Sequence, residues 1–451
     1  MENFLSSSFG VFLMSLISGI FTTPSQQNFM ILAYGWSLAS IRHTITSYLW
    51  LSGAVSWKHF SRFYIFLSDT FYPLQEKLWS SIIICAAGFV PQDQKIRMKI
   101  DDTTKKKCGR KIDGVDRYRN GSSYARQEYR TLFGLNFVYV TMLLPLRIWP
   151  GAYLSVPIGL KLYLKKKVAK RLGIPYRSRS LLAREILDFV ALKLPHRQLL
   201  ANGDGAYARK EFLRNLGSSA KVVSRFPINS KLYALPQAPP KGRPGRKPRK
   251  GKLIGSPKTL ILKSEGWLPH PTEPETLIRD FTGLWHSVLP GIPIRMVVVL
   301  RKRPQTTPQK SKKRIFEAFF TTDLDLTAEE ILGEYRQRWS IEIDIRDANA
   351  FYGLGQDQCR KYERIVAVNN FRMFLAAARS IWFIKQTENS EHVNLLRFRP
   401  WYRQKRYPTQ LDVVSAYQEA LCCQGISPTI RFLQDMNKIN PIKDLPPTEA
   451  A

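Results

Sequence analysis

Ile96-Arg97-Met98-Lys99-Ile100-Asp101-Asp102-Thr103-Thr104 alternates apolar with basic residues and then runs straight into two carboxylates. A period of two over this length predicts a half-buried strand that ends in acid. Leu132 to Leu144 and Tyr153 to Leu164 are further strand candidates, and Leu181 to Leu194 has the pattern of an amphipathic helix. His196 to Gly203 is a short strand that delivers Asp204 at its end, Gly205 to Leu216 reads as a helix, and Lys221 to Phe226 as another strand. Strands followed by helix, strand, helix and strand predict an α/β fold, a mixed sheet with flanking helices. Two carboxylate positions thus fall at strand ends.

Upstream, residues 1 to 93 read as helical, with apolar residues at mixed three and four spacing. No charged residue occurs between Glu2 and Arg42, and Phe4 to Phe21 is apolar enough to suggest a membrane span or a signal peptide. Its five serines, two glycines and polar end, with no Lys or Arg before it, favour a buried helix instead. The apolar run Ile82 to Val90 is too short to cross a bilayer. Downstream, Arg295 to Leu300 and Ile315 to Thr321 are strand candidates around a basic hairpin that includes Lys310 to Arg314. Thr327 to Phe351 reads as one long helix opened by a capping box, with Thr327 as cap and Glu330 three residues on.

Lys and Arg number 69 against 35 Asp and Glu, a net charge of +34 over 451 residues, and 44% of the chain is hydrophobic. A folded chain this basic points to a polyanionic partner, with nucleic acid first and an acidic membrane surface second, and away from small-molecule metabolism. The five cysteines form no C-x-x-C pair, and the six histidines are scattered. A reduced setting without structural zinc is the simpler reading.

Cutting or joining a phosphodiester without a covalent protein intermediate calls for an activated water or 3′-OH and a stabilised leaving oxygen. Two divalent ions about 4 Å apart do both, held by a few converging carboxylates. Asp102 and Asp204 can meet if their strands are neighbours, and Glu342 can join them from a helix packed across the sheet. Tyr335, Arg338 and Glu342, at i, i+3 and i+7, share one face of that helix. Taken alone, Arg338 and Glu342 could equally be an ordinary surface pair with Tyr335 in the core.

The stretch Tyr335-Arg-Gln-Arg338-Trp-Ser-Ile-Glu342, followed by I-D-I-R-D-A-N-A-F-Y-G-L-G-Q-D-Q-C-R, resembles the Y-x2-R-x3-E-x6-K signature of DDE transposases from bacterial insertion sequences. Ile100-Asp101-Asp102-Thr103-Thr104 with the following K-K-K-C-G-R-K-I-D-G-V-D-R is similar to that family's first catalytic block, and Ala201-Asn-Gly-Asp204-Gly-Ala-Tyr207-Ala to its second. G-W-S-L-A-S-I-R-H-T-I-T, near residue 40, also looks like the family's helical amino-terminal region. The resemblance runs over about residues 18 to 385.

It implies an RNase H-like catalytic core, Mg2+ or Mn2+ with two ions per site, double-stranded DNA as partner, and a homodimer on that DNA. It also implies cut-and-paste transposition: excision from transposon ends and strand transfer into a target. Carried over, the catalytic and metal-binding triad is Asp102, Asp204 and Glu342, with Tyr335 and Arg338 in support. Asp102 is preferred to Asp101 because it directly precedes the threonine; along a strand the two point to opposite faces, so only one is a ligand. The signature lysine falls on Asn349, a neutral amide that can bond a phosphate without charge. Arg346 or Lys361 compensates, or activity is reduced, and a catalytically reduced DNA-binding protein derived from a transposase is the alternative.

The proline-rich basic loop contributes Lys241, Arg243, Arg246, Lys247, Arg249 and Lys250 as DNA contacts. Its Gly242-Arg243-Pro244 is like the core of a minor-groove AT-hook, and a sequence-indifferent phosphate clamp is the plainer reading. Trp267 and Trp285 are candidates for stacking on an unpaired base, although core packing is the ordinary fate of an indole. The expected organisation is a helical DNA-binding domain at 1–93, an RNase H-like core at 94–226 and 314–390, and a β-rich insertion at 227–313. A helical carboxyl-terminal region and tail follow at 391–451. The expected location is the cytoplasm, on the nucleoid, with no membrane partner.

Overall fold

The computed structural model describes residues 1–40, 42–119, 131–237, 248–270, 272–273, 275–301, 316–388 and 405–426. They fall into two compact units: one gathers the described residues of 1–81, 147–152 and 347–451, the other those of 82–146 and 153–346.

The first unit is helical. Its longest element, Tyr362–Glu388, is buried almost continuously from Ile365 to Ile384. Residues apolar all round a helix can be accommodated only when other helices cover every side. Here Phe29, from the helix Thr23–Leu38, meets the rings of Phe371 and Phe374 at 5.2 and 5.8 Å. Trp382 donates to Ser8 on the helix Ser8–Ile17 (3.0 Å), and Tyr417 on Gln410–Cys423 donates to Ser37 (2.6 Å). The amino-terminal helices therefore share one core with the carboxyl-terminal ones. Arg372, wholly buried, donates to Tyr48 Oη (3.1 Å) and to the Gly353 carbonyl (2.8 Å), and also reaches the carbonyl of His43. No helix among the described residues is long and apolar enough to cross a membrane.

The second unit is built on a sheet of twelve strands among the described residues: β1 (Ile96–Lys106), β2 (Asp116–Arg119), β3 (Thr131–Pro145), β4 (Tyr153–Tyr163), β5 (Leu199–Gly203), β6 (Ala220–Arg225), β7 (Leu232–Tyr233), β8 (Leu253–Gly255), β9 (Leu268–Pro269), β10 (Thr276–Leu284), β11 (Pro293–Arg301) and β12 (Phe316–Thr321). The order is β2-β3-β1-β5-β6-β12-β11-β10-β7-β8, with β4 also on β3 and β9 on β10. β1 is antiparallel to β3 and parallel to β5, and β5 is parallel to β6. The path β4-β3-β1-β5-β6, a long antiparallel hairpin joined to three parallel strands, is the RNase H-like arrangement, and the fold class expected from sequence is the one observed. β3 is rich in aromatic and β-branched residues and buried over most of its length, as a central strand covered on both faces must be. The strands of 227–301 and β12 continue the same sheet through the antiparallel pair β12–β6.

Two expected helices are different. Gly205 to Leu216 contains only a 3-10 turn, Gly205–Tyr207, and a single α-turn, Lys210–Leu213, separated by the extended backbone of Arg209. Thr327 to Phe351 is two helices, Ala328–Gln337 and Ser340–Phe351. Between them Arg338, Trp339, Ile341 and Glu342 donate to carbonyls three residues back instead of four, which tightens the winding and ends the first helix. The capping box of Thr327 and Glu330 is formed as expected. Ala328–Gln337 lays Ile331, Leu332 and Tyr335 on Leu200, Val223, Val299 and Phe319 of the sheet. Each such side chain contributes about 1.5–3 kcal/mol when fully buried, enough to seat this helix firmly on β6 and β12.

Candidate active site

The parallel register of β1 and β5 ends with Ile100 opposite Gly203, so Asp101 and Asp204 follow next to each other on adjacent strands. Asp101 faces the helical segment that carries the signature. Arg338 Nη1 lies 3.5 Å from Asp101 Oδ2, and Arg338 Nη2 donates to Glu342 Oε1 at 2.9 Å. The hydroxyl of Tyr335 is 3.5 Å from Asp204 Oδ1, and the Arg338 guanidinium sits 5.6 Å from the centre of the Tyr335 ring. One cationic side chain thus ties the carboxylate of β1 to that of the second helix.

Asp102 has a different place. Its Oδ2 accepts from Asn136 on β3 at 2.9 Å and lies 3.4 Å from Arg179 Nε. Arg179 opens the helix Arg179–Lys193, donates to Asn136 Oδ1 (2.9 Å) and lies 4.8 Å from the centre of the Tyr163 ring. The strand's alternation does separate the two aspartates, and it is Asp101 whose carboxylate meets Arg338.

Electrostatics mark the same residue. Burial pushes the Asp101 carboxyl up from 3.8 to about 7; the neighbouring Asp102 and Asp204 charges add to this, against the Asp102 backbone N–H and Arg338. Burial also pushes the Tyr335 hydroxyl up to about 12, which keeps it a donor. Beneath the site, Lys99 is fully buried and reaches the Glu334 carbonyl at 3.4 Å and its carboxylate at 3.8 Å. Arg97 pairs with the same carboxylate, and Asn202 of β5 donates to the same carbonyl. Burial lowers the Lys99 ammonium to about 8, with Glu334 opposing the shift. Lys99, Arg97 and Asn202 therefore pin the turn of helix just before Tyr335. Sequence reasoning missed them; the available signal was that Arg97, Lys99 and Asp101 share one parity of β1.

The second helix is anchored by Asp344, which accepts from Ser155 of β4 and lies 3.5 Å from Thr141 of β3. Asn349 lies in the helical unit, half-buried, with its carbonyl 3.4 Å from Gln356 Nε2. Arg249 and Lys250 are exposed, and Lys250 lies 4.0 Å from the centre of the Tyr233 ring. Lys241, Arg243, Arg246 and Lys247 lie outside the described residues, as do Lys310 to Arg314. Trp285 is buried against Phe226 and Phe320, with ring centres at 4.7 and 5.4 Å, so it is a core residue. Trp267 is half-buried, donates to the Lys263 carbonyl at 2.9 Å and stacks with Arg279. An open cavity of about 630 Å³ begins at Asp204 and is walled by Arg225, Phe226, Ile228 and Glu317.

Among the described residues no three His, Cys, Asp or Glu side chains are gathered closely enough to hold a metal ion. Glu342 is held by Arg338 instead. The neighbouring pair Asp101 and Asp204 nonetheless fits a hard divalent cation: the donors are carboxylate oxygens, and their mutual repulsion already disfavours a charged Asp101.

An RNase H-like sheet thus sets one carboxylate within β1 beside another just past the end of β5, with a third on a helix across them, an arrangement suited to phosphodiester chemistry. Residues 182–378 match the family described as a transposase DDE domain. The matched stretch contains Asp204, Tyr335, Arg338 and Glu342, and it supports a DDE transposase. No curated protein matches the chain.

Proposed function

We propose that this protein is a cut-and-paste transposase that binds transposon ends in double-stranded DNA, cleaves them and joins the freed 3′-OH to a target, acting as a homodimer on that DNA. The observation that carries the reading is the adjacency of Asp101 and Asp204 beneath the Tyr335–Arg338–Glu342 segment. In this assignment Asp101, in place of Asp102, forms the triad with Asp204 and Glu342, while Asp102 braces Asn136 and Arg179.

Mg2+ or Mn2+ bound there would supply the charge that activates water or a 3′-OH and stabilises the leaving oxygen. Asp101 and Asp204 would hold it, with Glu342 as third ligand once released from Arg338. Arg338, freed in turn, has a planar fork of donors matched to the phosphate being cut. Tyr335 keeps its proton and donates to the DNA backbone. Lys99 and Arg97, through Glu334, keep that helix from sliding along the strand ends. Arg249, Lys250 and the rest of the basic loop supply further phosphate contacts, and the helices of residues 1–93 read the ends.

The test is cleavage of a labelled duplex taken from the flanks of the protein's own gene. Asp101→Ala, Asp204→Ala and Glu342→Ala each abolish Mg2+- or Mn2+-dependent cutting while end binding persists, and chelation of the metal stops the unmodified protein. A triad variant that cuts normally removes that residue from the assignment. Asn349 in place of the signature lysine favours a second reading, a DNA-binding protein with reduced catalysis. Under that reading the unmodified protein binds these ends without cutting them, and Asn349→Lys restores cutting.

A further inference from the structure

Beside Tyr335 and Arg338 lies a second recess, about 210 Å³, whose other lining residues have no part in the catalytic assignment. Arg225, Arg301, Arg336 and Arg338 all reach it, over a floor of Val299, Phe319 and Leu332. Among the described residues two carboxylates line the recess, while Arg338 is paired outside it with Asp101 and Glu342. Glu317 is shared by Arg225 (2.6 Å) and Arg301 (2.5 Å), and Glu273 takes Arg336. The Nε of Arg225 and that of Arg338 are buried with no hydrogen-bond partner among the described residues. Arg301 and Arg336 are partly exposed, at 43% and 55%, and Trp339 stands at the rim, 61% exposed. Guanidinium donors in excess of acceptors, two of them desolvated, describe a site lacking an anion.

We propose that this recess is a phosphate clamp for the DNA strand flanking the scissile bond, in which Arg225, Arg301 and Arg336 grip a backbone phosphate and Glu273 and Glu317 hold those arginines in place until DNA arrives. The proposal rests on the reading of the neighbouring site as DNA-processing. The geometry favours a phosphodiester: planar forks suit a tetrahedral oxyanion, and the apolar floor with an exposed indole at the rim suits a sugar–base unit more than a free ion. No base edge is read here, so the contact is indifferent to sequence and adds to the salt dependence of binding.

The glutamates make the test two-signed. Binding of a short fluorescent duplex of unrelated sequence is followed by anisotropy over a series of salt concentrations. Arg336→Gln and Arg301→Gln weaken binding several-fold and lower the salt slope by about 0.9 for each phosphate that is no longer neutralised. Glu273→Gln frees Arg336 and tightens binding several-fold, a gain that disappears when Arg336→Gln is added, whereas mere loss of a negative charge would leave it in place. Unchanged affinity and slope in the arginine variants, or weakened binding in Glu273→Gln, overturns the clamp. Asp101→Asn separates the two readings. If it loses cleavage while the arginine variants bind normally, the transposase reading stands and the clamp falls. If the arginine variants lose binding but the unmodified protein never cuts with Mg2+, the clamp stands and the catalytic reading falls.

Discussion

Asp101→Asn exchanges a carboxylate for an amide of nearly the same shape, so its effect is almost wholly one of charge. In the folded chain the Asp101 carboxyl is raised from 3.8 to about 7, chiefly by burial and then by its acidic neighbours. At about 1.36 kcal/mol per tenfold change in proton affinity, that rise corresponds to a ceiling on the order of 4 kcal/mol. The side chain is 22% exposed, and screening brings the working figure to about 2–4 kcal/mol. The sign follows from which state holds the proton. Between pH 3.8 and about 7 the folded protein keeps a proton that the unfolded chain has released. The favourable contribution is complete below the lower value and is lost as pH rises through the upper one. Asparagine cannot ionise and shows no such loss. In metal-free buffer, denaturant unfolding of the sheet unit therefore gives Asp101→Asn an advantage over the unmodified protein that is about 2–4 kcal/mol larger at pH 8 than at pH 4. The same variant loses Mg2+-dependent cleavage. Parallel stability profiles across this range, or normal cleavage, would refute the argument that Asp101 is the strained carboxylate of the site. Asp102→Asn is the contrast: it weakens the hydrogen bonding with Asn136 and Arg179, costs about 1 kcal/mol, and leaves cleavage in place.

Two further outcomes follow from packing and burial. Trp285→Ala removes an indole buried against Phe226 and Phe320; it lowers unfolding stability by about 3–5 kcal/mol, whereas an indole serving DNA would show its loss only in binding. In the helical unit, burial and then the charges of Arg372 and Arg379 hold the His43 imidazole down at about 3 from 6.5. The unfolded chain takes up this proton below pH 6.5 while the folded one does not, so stability falls by about 2–3 kcal/mol between pH 6.5 and 4.5. His43→Gln flattens that acid slope in a circular-dichroism melt, and an unchanged slope would place its origin elsewhere.

Much of the sheet is legible in the sequence because β3, β4, β6 and β12 are dense in β-branched and aromatic residues and end near turns. Asp204, just past the end of β5, is legible for the same reason, whereas β1 does not stop at its acids as the alternation suggests: pairing with β3 carries it on through Asp101 and Asp102 to Lys106. What alternation cannot supply is which parity of β1 faces which helix. Met98 and Ile100 share the parity of Asp102, while Arg97 and Lys99 share that of Asp101, and by hydrophobicity the first set is the natural inward face. The basic set is inward too, because Glu334, more than two hundred residues later, brings the counter-charge that lets Lys99 be buried. A pairing across that separation leaves no local trace. The helix break at Arg338 and Trp339 is hidden likewise: neither Pro nor Gly marks it, and only the change to bonds three residues back reveals it. That break alters the helical phase between Tyr335 and Glu342, so the shared face read from i, i+3 and i+7 holds for Tyr335 and Arg338 on the first helix and its C-cap, while Glu342 reaches Arg338 from the second. The grouping of residues 1–81 with 347–388 and 405–426 escaped a segment-by-segment reading for a related reason, since apolar faces say that a helix needs a partner without saying which. Interactions local in sequence were readable, and those that choose between two equally good local patterns were made by residues far along the chain.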